Sequence, residues 1–165
     1  VKILDVGCGP GREVKSFIEG GFLAEGIDLS KEMINIAKKM VPEANFNVMD
    51  FRRMEFPDKS FDGVFANYCL IHITKKETLP TLKEFKRVLK KDGILYISVD
   101  EGTEEGFYDE PLKKGEKIFI NFFKKEEIKN LLEKAGFSII KTGKKTMKRK
   151  EALGSKKLFF IGKKK

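Results

Sequence analysis

The segment Asp5-Val6-Gly7-Cys8-Gly9-Pro10-Gly11-Arg12 sets the terms on which the rest of the chain is read. Before it, Val1–Val6 alternates like a buried strand; after it, Gly11–Glu19 brings Val14, Phe17 and Ile18 to one helical face until Gly20-Gly21 stops it. Glycines at alternate positions between a strand and a helix permit a tight turn and close approach of the backbone to a ligand. A dinucleotide fingerprint has its third glycine one position later, where Arg12 stands here, and a P-loop needs Gly-Lys-Ser or Gly-Lys-Thr. Asp5, just ahead of the loop, attracts an ammonium and repels a pyrophosphate. The loop therefore predicts a ligand with a cationic amino-acid end.

Beyond the loop, short apolar runs alternate with helical stretches. Leu23–Asp28 reads as a second strand, and Ser30 caps a helix carrying Met33, Ala37 and Met40. Asn45–Asp50 is a third strand and Phe51–Ser60 a loop. Phe61–Tyr68 is a fourth strand, followed by a helical stripe of Leu82, Phe85, Val88 and Leu89 and a turn at Asp92-Gly93. Ile94–Val99 makes a fifth strand, Asp100–Gly115 an acidic irregular loop, and Ile118–Phe123 a strand-like run. Ile128, Leu131, Leu132 and Ala135 form a last helical stripe closed by Gly136, with strands at Ser138–Thr142 and Lys157–Ile161. The alternation predicts an α/β fold, and the uninterrupted pattern predicts a single domain over 1–165.

The composition agrees. With 165 residues, 41% hydrophobic and 36% charged, the chain has material for one core and a dense charged surface. No apolar run approaches the roughly 18–20 residues that span a bilayer. Two cysteines and one histidine exclude a disulfide scaffold and the usual Cys/His zinc site, so the expected setting is the reducing cytoplasm, with no membrane contact and no metal. The net charge of +9 is concentrated: Lys141–Lys165 holds 11 Lys or Arg against the single acid Glu151. Such a segment attracts phosphate, RNA or an acidic substrate, or serves as a solvated hairpin.

Two further acids end strands, as ligand-binding residues do at the carboxyl edge of a parallel sheet. Asp28 can accept from both hydroxyls of a ribose. Asp50 can accept from an exocyclic adenine amine while Phe51 offers its ring. Each of these is also an ordinary turn or cap residue, but together with the loop they describe a ligand with an ammonium, a ribose and an adenine.

With these residues in place the chain resembles a class I S-adenosyl-L-methionine-dependent methyltransferase. D-V-G-C-G-P-G is similar to that family's first motif, G-I-D-L-S to its acidic second-strand end and M-D-F to its adenine-side motif. F-D-G-V-F-A-N-Y-C-L-I-H-I resembles the fourth-strand motif, and L-K-E-F-K-R-V-L-K-K-D-G-I-L-Y-I the next helix and fifth strand. E-E-I-K-N-L-L-E-K-A-G-F is similar to the late helix before the final antiparallel pair. The resemblance implies a three-layer sandwich around a seven-stranded, mostly parallel sheet in the order 3-2-1-4-5-7-6, with the last strand antiparallel. It implies that Gly7, Gly9 and Gly11 shape the loop around the methionine moiety. Asp5, the Gly7 region and Asn67 would lie toward its ammonium. Asp28 would hold the ribose with Leu29 beside it, Asp50 and Phe51 would meet the adenine, and Met33 would pack near the adenosine or in the core.

Two departures from the family pattern are visible. Family members usually carry helices before the first strand that cover the cofactor; the sequence starts at Val1 with a strand pattern, so the expectation is either an omitted N-terminal segment or a site open on that side. A-N-Y-C lacks the Pro-Pro pair of the amino-methylating Asn-Pro-Pro-Tyr pattern, which disfavours DNA adenine or glutamine N-methylation.

The implied reaction is an in-line displacement from a sulfonium to an N, O or S nucleophile of a small-molecule acceptor. The cofactor brings the activated methyl. Alignment can contribute roughly 7–11 kcal/mol against the ~3–5 of a general base, so positioning should dominate. His72 is the expected base and Tyr68 the expected pocket wall on the acceptor side. Asp100, Glu101, Tyr108 and Asp109 are expected around the acceptor, and Arg12 near the cofactor carboxylate or the solvent. Competing readings are an RNA methyltransferase using Lys141–Lys150 and Lys156–Lys157 as its nucleic-acid surface, and a non-catalytic subunit of a partner chain.

Overall fold

Period-two alternation decides which way each strand of the sheet faces. In β1 (Lys2–Val6), Leu4 and Val6 are fully buried, while Ile3 and Asp5 point to the opposite side. The same division recurs in β4 (Phe61–Asn67), with Val64 and Ala66 opposed to Phe65 and Asn67. It recurs again in β5 (Leu89–Asp100), with Leu95, Ile97 and Val99 opposed to Tyr96, Ser98 and Asp100. In the computed structural model, residues 1–110, 113–146 and 156–165 are described.

The remaining elements are α1 (Arg12–Glu19), β2 (Leu23–Asp28), α2 (Lys31–Met40), β3 (Asn45–Val48), α3 (Lys75–Val88), β6 (Glu105–Asp109), β7 (Lys117–Asn121), α4 (Lys125–Ala135), β8 (Phe137–Thr146) and β9 (Lys156–Lys164). A seven-stranded sheet runs β3-β2-β1-β4-β5-β9-β8. Only β9 is antiparallel to its neighbours, so the order is the expected 3-2-1-4-5-7-6 once β6 and β7 are set aside. Helices α1 and α2 pack over β1, β2 and β3, and α3 and α4 pack on the other face, giving three layers. The larger core lies on the α3–α4 side, with Phe61, Phe85, Phe123, Phe137 and Phe160 all but inaccessible. A smaller one joins Val14, Ile34, Ala37 and Phe46 beneath α1 and α2.

The ends of the elements follow local chemistry. Ser30 caps α2 as expected, its Oγ accepting from the Met33 N–H at 3.2 Å. Gly136 closes α4 in the left-handed conformation. β3 stops at Val48, short of the expected Asp50, because Asp50 Oδ1 accepts from the Arg52 N–H at 2.9 Å and turns the chain.

One expectation is corrected. Part of the irregular loop over 100–115 is a strand: β6 pairs antiparallel with β7, so the strand-like run from Ile118 belongs to a separate two-stranded ribbon. Across it Phe107 meets Phe119 at 5.5 Å, and Tyr108 meets Phe122 at 5.4 Å, both edge to face. The β6 strand, five residues long, is too short to announce itself and is completed by aromatic rings from β7 and the residue that follows it.

On the α1 side, Phe65 stacks on Tyr96 at 4.6 Å, with Phe17 edge-on to Phe65 and Phe159 beyond Tyr96. Among the described residues no helix is long and apolar enough to cross a membrane.

Candidate active site

At the carboxyl edge, where β1 and β4 part, a cleft of 360 Å3 is lined by Gly7, Asp28, Leu29, Phe51, the run Asn67-Tyr68-Cys69, and His72. Gly7 brings the glycine loop to this cleft, and the loop is held by hydrogen bonds that the sequence does not announce. The Gly7 and Cys8 N–H groups both donate to the Ile27 carbonyl, at 2.8 and 3.0 Å, which pins the loop to β2. Asp28 grips both sides of this junction: Oδ2 accepts from the Gly9 N–H at 2.9 Å and Oδ1 from the Ser30 N–H at 2.8 Å. Its orientation is therefore set, and each oxygen keeps a lone pair for a ligand.

The three glycines all have positive φ but different duties. A Cβ on Gly9 would meet nothing within 4 Å, so the backbone there faces open space. One on Gly11 would come 2.9 Å from Phe46 Cζ and 3.2 Å from Ala37 Cβ. Gly11 thus helps shape the loop from beneath, by seating α1 against the smaller core.

Asp5 is also placed differently than expected. It does not line the cleft but lies beneath the loop, 3% exposed, with Oδ2 lacking a hydrogen-bond partner. Burial, then the nearby carboxylates of Glu13 and Asp28, push its pKa up to about 8.

Toward the β2 side the cleft becomes apolar. Leu29 is 58% exposed at the strand end, and Phe51 packs its other face on Phe85 at 6.2 Å. Asp50 is not in the wall: both its oxygens are held by the Arg52 guanidinium at 2.7–3.0 Å, and Arg52 holds its carboxyl below the usual range. Arg52 in turn pairs with Glu77 at 2.7 Å. Met33 is half-buried in the first turn of α2 and likewise outside the cleft wall. Arg12 is exposed.

On the β4 side, Tyr68 takes a left-handed φ of 61°, and its N–H reaches Ser98 Oγ at 3.1 Å. Burial first, then Asp100 and Tyr96, push its phenol up to about 12, so it stays protonated at neutral pH. His72 is exposed in the 3-10 turn Leu70–His72, with Nδ1 at 3.3 Å from the Phe119 carbonyl of β7. A carbonyl only accepts, so this contact puts the proton on Nδ1 and leaves Nε2 as the lone-pair nitrogen of the neutral ring. Of the expected acceptor-side acids, Asp100 is 8% exposed and burial raises it to about 6. Glu101 pairs with Lys144, and Tyr108 and Asp109 belong to β6.

Two residues at this end were not anticipated. Cys69 lines the cleft, with burial pushing its thiol far up, so it is a wall and not a nucleophile. Lys157, expected on a nucleic-acid surface, is instead half-buried: its Nζ lies 2.9 Å from Asn67 Oδ1 and 4.0 Å from the Tyr68 ring centre. The alternation of β9 carried the signal, because Lys157 shares a side with Phe159 and Ile161 opposite buried Leu158 and Phe160. Lys148, Arg149 and Lys150 lie outside the described residues. Among the described residues no three His, Cys, Asp or Glu side chains are grouped to hold a metal ion.

Comparison with known proteins adds to this geometry. A family model described as a methyltransferase domain matches residues 4–97. An O-methyltransferase of Penicillium expansum is 32% identical over 84% of this chain and 52% of its own length. A ubiquinone/menaquinone biosynthesis C-methyltransferase of Campylobacter jejuni is 30% identical over 64% of this chain and 47% of its own. The chain thus spans about half the length of the curated relatives it matches. A crystal structure of a SAM-dependent methyltransferase from Methanosarcina mazei superposes with a TM-score of 0.89 at 22% identity, covering 99% of this chain and 92% of that one.

Proposed function

This chain belongs to the class I S-adenosylmethionine-dependent methyltransferase family, and on that premise we propose that it transfers a methyl group to an oxygen of a small-molecule acceptor. The observation that carries the reading is the cleft itself, which sets the backbone of the glycine loop opposite an apolar wall with an oriented carboxylate between them.

The residues present fit S-adenosyl-L-methionine. The buried, unpartnered Oδ2 of Asp5 lies beneath the loop, where a bound ammonium or sulfonium would draw its raised carboxyl back toward the charged form. The open space at Gly9 admits the methionine moiety against bare backbone. Asp28 keeps lone pairs for the ribose hydroxyls, and exposed Leu29 with Phe51 offers an apolar bed for the adenine. Asp50, held by Arg52, is the weakest member of the expected set.

When bound, the cofactor supplies an activated methyl on a positive sulfur. The chain's own residues then align, desolvate and move a proton. Asn67 and Tyr68 wall the β4 side of the cleft. His72 Nε2 takes the proton of the acceptor hydroxyl while Nδ1 keeps its own proton, donated in a hydrogen bond to the Phe119 carbonyl. The Tyr68 phenol, kept protonated, donates a hydrogen bond to the oxygen as charge develops.

Calorimetric titration with S-adenosylmethionine and with NAD tests the reading. The former binds and the latter does not, and Asp28→Ala weakens binding by about 1–3 kcal/mol through loss of charge-assisted hydrogen bonds. NAD binding, or an Asp28→Ala variant with full affinity, refutes it.

A further inference from the structure

Most lysines of the C-terminal strands point to solvent, but Lys157 crosses the sheet. In register it faces Asp100 of β5 on one side and Lys145 of β8 on the other. Its ammonium nevertheless bonds to Asn67 of β4, a strand beyond β5. With neighbouring strands about 4.8 Å apart, the side chain must lie across β5 at Ser98 to get there. This path removes a cation from much of its hydration, and burial lowers its basicity while Asp100 and Glu13 oppose the change. A lysine that only solubilised the hairpin would have no reason to take that path.

Its contacts settle the geometry of the cleft wall. An ammonium has donors and no acceptor, so the Asn67 atom 2.9 Å away is the amide oxygen. Ser98 Oγ donates to the same oxygen at 2.6 Å. The amide is thereby locked against a flip, and its nitrogen, with two N–H donors, is the end left for a ligand in the cleft that Asn67 lines. The same ammonium sits over the face of Tyr68, which holds that ring by a cation–π contact.

We propose that Lys157 is a positioning residue of the methyl-donor cleft: it locks the Asn67 amide with its nitrogen available to the cofactor and seats Tyr68 beside it. This assignment rests on the methyltransferase reading above.

The test combines calorimetric binding of S-adenosylmethionine with NMR of the Asn67 side-chain amide, assigned by its loss in Asn67→Asp. Lys157→Met should weaken binding by about tenfold and move the amide resonances, as expected for losing a charged hydrogen-bond donor. Lys157→Arg, which keeps the cation and the ring contact, should restore the resonances and bring the affinity to within about threefold of wild type. In wild-type protein, which needs no variant to fold, adding S-adenosylmethionine should shift the Asn67 amide resonances. A wild type that binds without such a shift, or a Lys157→Met protein with unchanged affinity and resonances, overturns the assignment alone. A wild type that binds no S-adenosylmethionine overturns the methyltransferase reading and this assignment with it.

Discussion

Asp5 carries a proton where most aspartates carry a charge. Its pKa of about 8 in the fold stands against an ordinary 3.8, so the native state holds a proton that the unfolded chain gives up. The stability this provides is complete below pH 4 and is lost as pH rises through 8. Thermal denaturation across that window should therefore show a falling midpoint in wild type and a flatter one in Asp5→Asn, which cannot ionise. Ligand binding should run the other way, because a cation favours the carboxylate. The affinity for S-adenosylmethionine is expected to climb from about pH 6 to about pH 7.5 in wild type, below the titration of the ligand's own α-ammonium, and to stay level over that range in Asp5→Asn, as calorimetry at several pH values would record.

The glycine loop and the helix that follows it separate packing from binding within three residues. Gly11→Ala forces a Cβ onto Phe46 in a left-handed backbone, and should cost about 2–4 kcal/mol from overpacking and conformational strain together. Gly9→Ala meets no neighbour and should cost only about 1–2 kcal/mol, the left-handed penalty. Affinity should rank them in the opposite order, since only the Gly9 methyl would enter the space assigned to the methionine moiety. Denaturant unfolding and cofactor titration of the two variants read these effects separately. A Gly9→Ala protein with unchanged affinity would move the ligand away from the loop.

The β8–β9 hairpin, for all its lysines, belongs to the main core of the molecule. Leu158 and Phe160 are about 1% exposed and pack with Phe85, Phe123 and Phe137, and β9 pairs along most of β5. Phe160→Ala should destabilise the whole domain by about 3–5 kcal/mol, in a single denaturant transition shared by every spectroscopic probe. A separate early transition would show that the hairpin folds apart from the sheet. The basic charge is likewise divided by the fold: Lys144 is neutralised by Glu101 and Lys157 is turned onto Asn67 behind the cleft wall, which leaves fewer cations for a polyanion than the sequence alone counts.

The sequence by itself determined the sheet order, both glycine-loop boundaries and the joining of Gly7, Asp28, Leu29, Phe51, Asn67, Tyr68 and His72 in one cleft. The alternation of elements, the loop boundaries and the strand-end places of Asp28 and Phe51 follow from periodicity, a local property that survives in one dimension. The sheet order and the places of Leu29 and Asn67 follow instead from the motifs that resemble the methyltransferase family. Only the tertiary structure decided that Gly11 serves packing, that Asp50 is held by Arg52, that Asp5 is buried and protonated, and that β6 finds β7. Lys157 is the clearest case, because its partner Asn67 lies 90 positions away in the chain. The burial, charge pairing and hydrogen bonding of these residues depend on neighbours that the chain brings near only when the sheet closes, and no local pattern records which neighbours those will be.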